Sequence, residues 1–560
     1  MRHIIHYSTR LWRSMRPEHI AYALSFIAFM VNALYVSYPD EFVNLLGGQS
    51  ILHGGIPYKD FFDHHMPFAW YSSAVLLLFS FGSYVLFRLW WAGAAWATLW
   101  LVGRFIKNRS KELHGYYLWF VVVYPLVAMY YWLHLFLADS LGFLFISVLL
   151  WLFLAQTFAA QRTSMKTLYV FSFLIFLLLF SSMTYILLAG MFYVWLLYLL
   201  YREQAKPMHY LRLCAVCAAP YVIYALYLLV SNSWHEFYIA NVVYNTKLYI
   251  SIPNYTKGNF FNPVKFALTV IYNFHQEYLP LLSMIKHIDL YTPMGPLFAF
   301  ASFLLVAFAF YKNPLLGILL FLLLSFSAPR STISDLGETK YQAGGFIAIG
   351  LVSAFFVLWA RKQLEIRDEL VAILTKVFLV VLLLETIFFS LVMAKYTYER
   401  WYLRYTQAMP GINDKSPTAD VIDGVLRDRN ASYWVGPYEP HHQFFVTEAR
   451  LPGRYVSLLP QFREDTYFSN GFIEQFETAK PEVIIFKHLA SIFNTPSEVF
   501  GAFFLEWMDG NYVRMRDIPG IKLERSPESF EMMNDVYLRE DIQDELLQRF
   551  IQEGYVSISQ

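Results

Sequence analysis

Two adjacent carboxylates, Asp40 and Glu41, close the first long apolar run of the chain in the stretch YPDEF. Partial loss of water raises a carboxylate's proton affinity toward what a general base near neutral pH needs, and the edge of a membrane provides that loss. The same residue types also suit a plainer task, because Asp is a common cap where a helix begins, here at Phe42. Downstream, Gly54, Gly55 and Pro57 turn the chain, and Tyr58, Lys59, Asp60, Asp63, His64 and His65 follow before Pro67. His64 and His65 are of a type that ligates metal or donates to phosphate. Adjacent side chains rarely point the same way, so one of the two at most is expected to do so. A third acid, Asp139, starts an apolar run in LHLFLADSLGFLF. With Ser140 it too could serve as a helix cap.

The elements that must position these residues are membrane spans. Of 560 residues 57% are hydrophobic and 15% charged, against about 25% charged in an ordinary soluble domain. Apolar segments near the 20 residues a span requires fall at 18–38, 84–106, 115–133, 141–160, 166–181, 184–201, 211–230, 293–311, 314–327, 343–360 and 371–394. Lys and Arg gather in alternate connections: the N-terminal tail, RFIKNRSK, QRTSMK, YREQAKPMHYLR, Lys312 and RKQLEIRDEL. The positive-inside rule makes these cytoplasmic. Asp40 and Asp139 then face outward together. The segment 66–81 is short for a crossing and reads as an interfacial or re-entrant helix. About eleven spans from a cytoplasmic N-terminus leave the C-terminal region outside. The division expected is a transmembrane domain at 1–394 and an extracytoplasmic α/β domain at 395–560. In the latter, 431–438, 454–460 and 481–488 read as strands and 468–480 as a helix, after a linker beginning KYTYERWYLRYT.

The order of motifs in the first outer loop, P-D-E, an amphipathic helix over 42–53 lying on the membrane, H-G-G-x-P-Y-x-D, then a charged cluster with proline and an aromatic run, resembles membrane glycosyltransferases of the GT-C class. It looks most like the branch holding protein O-mannosyltransferases and the lipid A aminoarabinose transferase. The resemblance implies a GT-C-like polytopic α-helical membrane protein with Asp40, Glu41 and Asp139 as catalytic acids. It places a donor phosphate near Arg330, Lys340 and Tyr341 of PRSTISDLGETKYQAGG, with Lys59 and His64 as further contacts. Lys340 and Tyr341 stand where relatives often carry His-Tyr. Tyr58, Asp60, Asp63 and His65 line the substrate loop on this reading. Some relatives use a divalent metal ion and some do not; two acids facing outward, Asp40 and Asp139, would be its ligands.

The expected partners are a polyprenyl-phosphate sugar donor, a hydroxyl acceptor on a lipid, glycan or protein, and the bilayer of a plasma or inner membrane. Transfer would proceed with inversion. The net charge of +1 and the lack of a basic stripe with interleaved aromatics speak against nucleic acid. Cys214 and Cys217 lie in an apolar run and read as small buried hydrophobes. Two other readings share the features: a transporter or flippase of a lipid-linked substrate, which would favour internal repeats and broken helices, and a surface-polysaccharide polymerase or ligase. Aromatics such as Trp234, Tyr238, Tyr244, Tyr249, Tyr255 and Tyr272 suit both sugar stacking and the membrane interface.

Overall fold

The computed structural model describes residues 16–35, 37–159, 162–249, 295–327, 340–364, 369–406, 416–523 and 535–558. Each of the expected apolar segments falls on a helix. Among the described residues seven helices are long and apolar enough to cross a membrane by length and composition: Tyr84–Lys107, Lys111–Tyr130, Ala138–Ala159, Met183–Arg202, Pro207–Val230, Tyr341–Gln363 and Thr375–Glu399. Others, such as Met165–Ser181 and Pro314–Ser325, are shorter. The architecture is that of a polytopic helical protein. The expected linker KYTYERWYLRYT continues the helix Glu369–Thr406 instead. No proline interrupts that stretch before Pro410, so nothing local stops the helix at residue 394.

Contacts divide the chain into two compact units, and the division is not a single cut near residue 394. One unit comprises Met1–Val36, Phe79–Leu226 and Asn254–Ile412; the other comprises Ser37–Leu78, Tyr227–Pro253 and Asn413–Gln560. The first is helical. Its centre is Ala138–Leu154, in which every residue is buried, packed against Gly344–Gln363, which is buried from Gly344 through Phe356. At the other extreme, only 11% of the apolar window of Pro207–Val230 is covered. Val222, Ile223 and Leu226 stand exposed. An all-round apolar helix with a bare face is suited to lipid. Cys214 is exposed on this helix rather than buried, and Cys217 is half-buried.

The second unit contains the loop with Asp40. Helix Pro39–Leu52 is not a half-buried surface helix: Glu41 through Gly48 are buried all round. It packs on Phe68–Leu78 and on Pro440–Phe445. Gly48 makes the first contact feasible, since a Cβ there would come 2.2 Å from Ser73 Oγ. Phe68–Leu78 has 11 residues, about 16 Å of helix against a hydrocarbon core of about 30 Å. In the C-terminal stretch, Val483–Phe486 pairs parallel with Tyr433–Gly436 and antiparallel with Val536–Arg539, which pairs antiparallel with Tyr512–Arg514. Helix Thr466–Ala479 matches the expected one. The expected strand at 454–460 does not form. The Gln475 side chain meets both the Tyr455 N–H, at 2.9 Å, and the Tyr455 carbonyl, at 3.0 Å. A side chain there satisfies backbone groups that a neighbouring strand would otherwise pair.

Candidate functional site

Tyr38 is the N-cap of helix Pro39–Leu52, in extended conformation and without a side-chain cap bond. Pro39, with its preset φ, takes the first helical position, so Asp40 and Glu41 lie inside the first turn rather than ahead of it. There the positive end of the helix favours their charge. Asp40 is not a cap. Its Oδ1 instead accepts a hydrogen bond of 2.7 Å from the hydroxyl of Tyr438. Tyr438 follows the strand Tyr433–Gly436 and precedes the helix Pro440–Phe445. Burial, reinforced by the charge of Asp40 and the hydrogen bond to it, pushes the Tyr438 hydroxyl well above its ordinary proton affinity. It therefore remains a donor. Glu41 is fully buried.

Tyr438 is held in register because its neighbours pack on the same helix. Phe42 sits among His441, Phe444 and Phe445, with ring centroids 5.3, 5.7 and 6.0 Å away. His441 and His442 are half-buried. Burial, with the nearby charge of His442, lowers the His441 pKa to about 4. His442 and Lys487 both pair with Glu439. Tyr438 itself carried no sequence signal, because its partner lies 398 residues away.

The loop after the helix is built inward. Tyr58, with φ +68°, is fully buried. Its ring packs on Trp70 and Phe237, and its hydroxyl donates to the carbonyl of His65 at 2.9 Å. Asp60 accepts the N–H of Ile56, four residues earlier in the chain, at 2.8 Å. Asp60 and Lys59 are exposed. Thus Tyr58 is core, Asp60 shapes the turn, and Lys59 points to solvent.

Asp63, His64 and His65 come together. The Nδ1 atoms of His64 and His65 lie 3.1 and 3.0 Å from Asp63 Oδ1, so both neighbours do face one group. The His64 N–H also reaches that oxygen, at 2.6 Å. Burial pushes the Asp63 carboxyl up, but the charge of His65 and hydrogen bonds from His64 and His65 outweigh it and hold the carboxyl well below the usual range. The His64 ring lies against Tyr249 and Tyr244. Among the described residues these three are the group whose donor atoms converge closely enough for a metal ion, all within 4.8 Å of one another.

Asp139 belongs to the other unit. It occupies the second position of Ala138–Leu154, whose N-cap is Leu137 without a side-chain cap bond. The Tyr185 hydroxyl donates to its Oδ1 at 3.1 Å. Gly142 lets Tyr185 approach, because a Cβ there would come 2.4 Å from the ring. Tyr341 is buried in the short turn Lys340–Ala343. The segment following it touches the same helix start, a Cβ at Gly344 lying 3.0 Å from the Asp139 carbonyl oxygen. The structure thus brings Asp139 and the 340–345 segment together. Arg330, the side chain of Lys340, Tyr255 and Tyr272 lie outside the described residues. Sequence reading also passed over Arg88, a fully buried guanidinium that donates to the Tyr84 hydroxyl at 3.1 Å and to the Asn32 carbonyl at 3.3 Å.

No protein-family model matches the chain. No curated protein matches it either.

Proposed function

We propose that the chain is an integral membrane glycosyltransferase with a GT-C-like body. On this reading it moves a sugar from a polyprenyl-phosphate donor to a hydroxyl of a lipid, glycan or protein on the outer face of a plasma or inner membrane. The observation that carries the proposal is the Asp40 carboxylate, half-buried in the first turn of its helix and oriented by Tyr438 at 2.7 Å. A general base must be fixed in direction yet reachable from outside. A carboxylate has about four lone-pair sites, so it can keep the Tyr438 bond while accepting a substrate hydroxyl. The motif order around Asp40 supports the class, and the alternation of Lys and Arg supports an outward-facing loop and C-terminal region.

In the proposed reaction the acceptor hydroxyl gives its proton to Asp40 as its oxygen attacks the anomeric carbon. The bond from that carbon to the phosphate oxygen breaks, its electron pair leaves with the polyprenyl phosphate, and the configuration inverts. Tyr438 is a positioning residue for Asp40. The test uses membranes holding the wild-type chain or Asp40→Asn, supplied with radiolabelled polyprenyl-phosphate sugars. The proposal expects sugar release by the wild type and its loss in Asp40→Asn inserted at equal level. Turnover equal to wild type in Asp40→Asn would remove Asp40 as the base. Relocation of intact lipid-linked sugar without turnover would make the chain a transporter.

A further inference from the structure

We propose that Asp63, His64 and His65 form a binding site for a zinc-class divalent cation, with Asp63 Oδ1 and the Nδ1 atoms of both histidines as ligands. The site goes beyond the transferase reading and stands or falls without it.

Three observations carry it. First, both Nδ1 atoms approach the same carboxylate oxygen, at 3.0 and 3.1 Å. Ligands at zinc bond lengths are about 3.0 Å apart at a right angle and about 3.4 Å apart at the tetrahedral angle. The two edges from Asp63 Oδ1 to the Nδ1 atoms lie at the short end of that range, and donor atoms of all three residues lie within 4.8 Å of one another. Second, the backbone presenting the ligands is fixed from both sides. Asn245 Nδ2 donates to the His64 carbonyl at 2.9 Å, and the Tyr58 hydroxyl donates to the His65 carbonyl at 2.9 Å. The residue before the triad is anchored as well, Phe62 N–H to the Arg454 carbonyl at 2.9 Å. Third, the surroundings are aromatic, with Tyr244 and Tyr249 against His64 and a buried Phe62 packed on Tyr244. Such a shell limits water around the triad, which strengthens attraction for a cation.

The donor set selects the metal. Two imidazoles and one carboxylate suit zinc and its borderline neighbours, whereas magnesium and calcium prefer oxygen alone. Three protein ligands are one short of a closed tetrahedral site, leaving a position for water or a substrate oxygen. The competing account is a hydrogen-bond cluster in which both imidazoles carry a proton on Nδ1 and donate to Asp63. The two differ in what occupies the space between the rings, a dication or two protons.

The test is zinc titration of the purified full-length chain in detergent after chelator treatment, read by competition with a chromophoric chelator. One equivalent is expected to bind, and His64→Ala, His65→Ala and Asp63→Asn should each weaken binding at least tenfold. Cobalt in place of zinc should give the intense visible bands of a low-coordinate nitrogen–oxygen site in the wild type and lose them in His65→Ala. X-ray absorption of the zinc-loaded wild type, which depends on no variant folding, should show scattering from two imidazoles. Absence of binding, affinity equal to wild type in both histidine variants, or a shell without imidazole would overturn the proposal and leave the hydrogen-bond cluster.

Discussion

Asp40 and Asp139 occupy the same place in their helices, the second residue of the first turn, behind an extended N-cap that makes no side-chain bond. Each carboxylate accepts a hydrogen bond from a tyrosine hydroxyl, Tyr438 for one and Tyr185 for the other. They differ in their surroundings. Asp139 is 6% exposed and Tyr185 1%, with the tyrosine ring seated against Gly142. Asp40 is half-buried, and its tyrosine comes from a loop between a strand and a helix. The same motif is thus enclosed at Asp139 and partly open to solvent at Asp40, where on the proposed function it orients the base.

The sharpest way to break the comparison is to neutralise each acid. Asp40→Asn should cut sugar transfer by about 10²- to 10⁴-fold, the usual contribution of a positioned base, with the unfolding midpoint nearly unchanged. Asp139→Ala should instead act on stability. Removing the acceptor of a buried hydroxyl costs about 1–3 kcal/mol, which would be read as a lower thermal midpoint in detergent. If Asp40→Ala destabilised the chain as much as Asp139→Ala while sparing transfer, both acids would be struts.

The tyrosines separate next. A hydrogen bond donated to a carboxylate favours its charged form, so Tyr438→Phe should move the acid limb of the pH–rate profile to higher pH. The expected shift is about one pH unit, from about 1.4 kcal/mol per unit. Tyr185→Phe should leave that limb in place. Equal profiles for wild type and Tyr438→Phe would show that Tyr438 does not orient the reacting group.

Much of this was readable in the chain and some was not, for physical reasons. Among the described residues every expected apolar segment carries a helix, because a backbone among apolar side chains must pair its own N–H and C=O groups. The acids at 40 and 139 were visible as charges at the ends of such runs. Neither takes the capping role that was the plainer alternative: Pro39 starts its helix ahead of Asp40, making Tyr38 the cap, and Leu137 caps the helix of Asp139. Tyr438 was invisible because pairing over 398 residues leaves no local pattern. Tyr58 reads as a loop residue by its Gly-Pro neighbours, yet its ring is core, since long-range packing on Phe237 overrides local turn chemistry.

Asp63 offers a pH test of the same loop. Its carboxyl is held well below the usual range, so it is charged in the folded chain at acidities where the unfolded chain takes up a proton. Its stabilising contribution is full above the unfolded value of about 3.9 and is lost as pH falls from there toward the lower folded value. The unfolding midpoint of the wild type should fall across that window. Asp63→Asn should flatten the dependence, and an unchanged slope would mean that the two imidazoles do not hold the carboxylate charged.

The smallest effect is expected at Lys59, where the loop's two faces part. Asp60, beside it, has its carboxylate committed to the Ile56 N–H, whereas the Lys59 side chain is exposed. An exposed substitution away from caps and cores stays within about 0.5 kcal/mol, so Lys59→Ala should leave the unfolding midpoint unchanged. On the proposed function it would act as a point charge for the donor phosphate. That use predicts a raised KM for polyprenyl-phosphate sugar with kcat retained, because the charge acts on bound donor before and during reaction alike. An unaltered KM would leave donor recognition to other residues and reduce the outward part of the loop to its acids, Asp40 foremost.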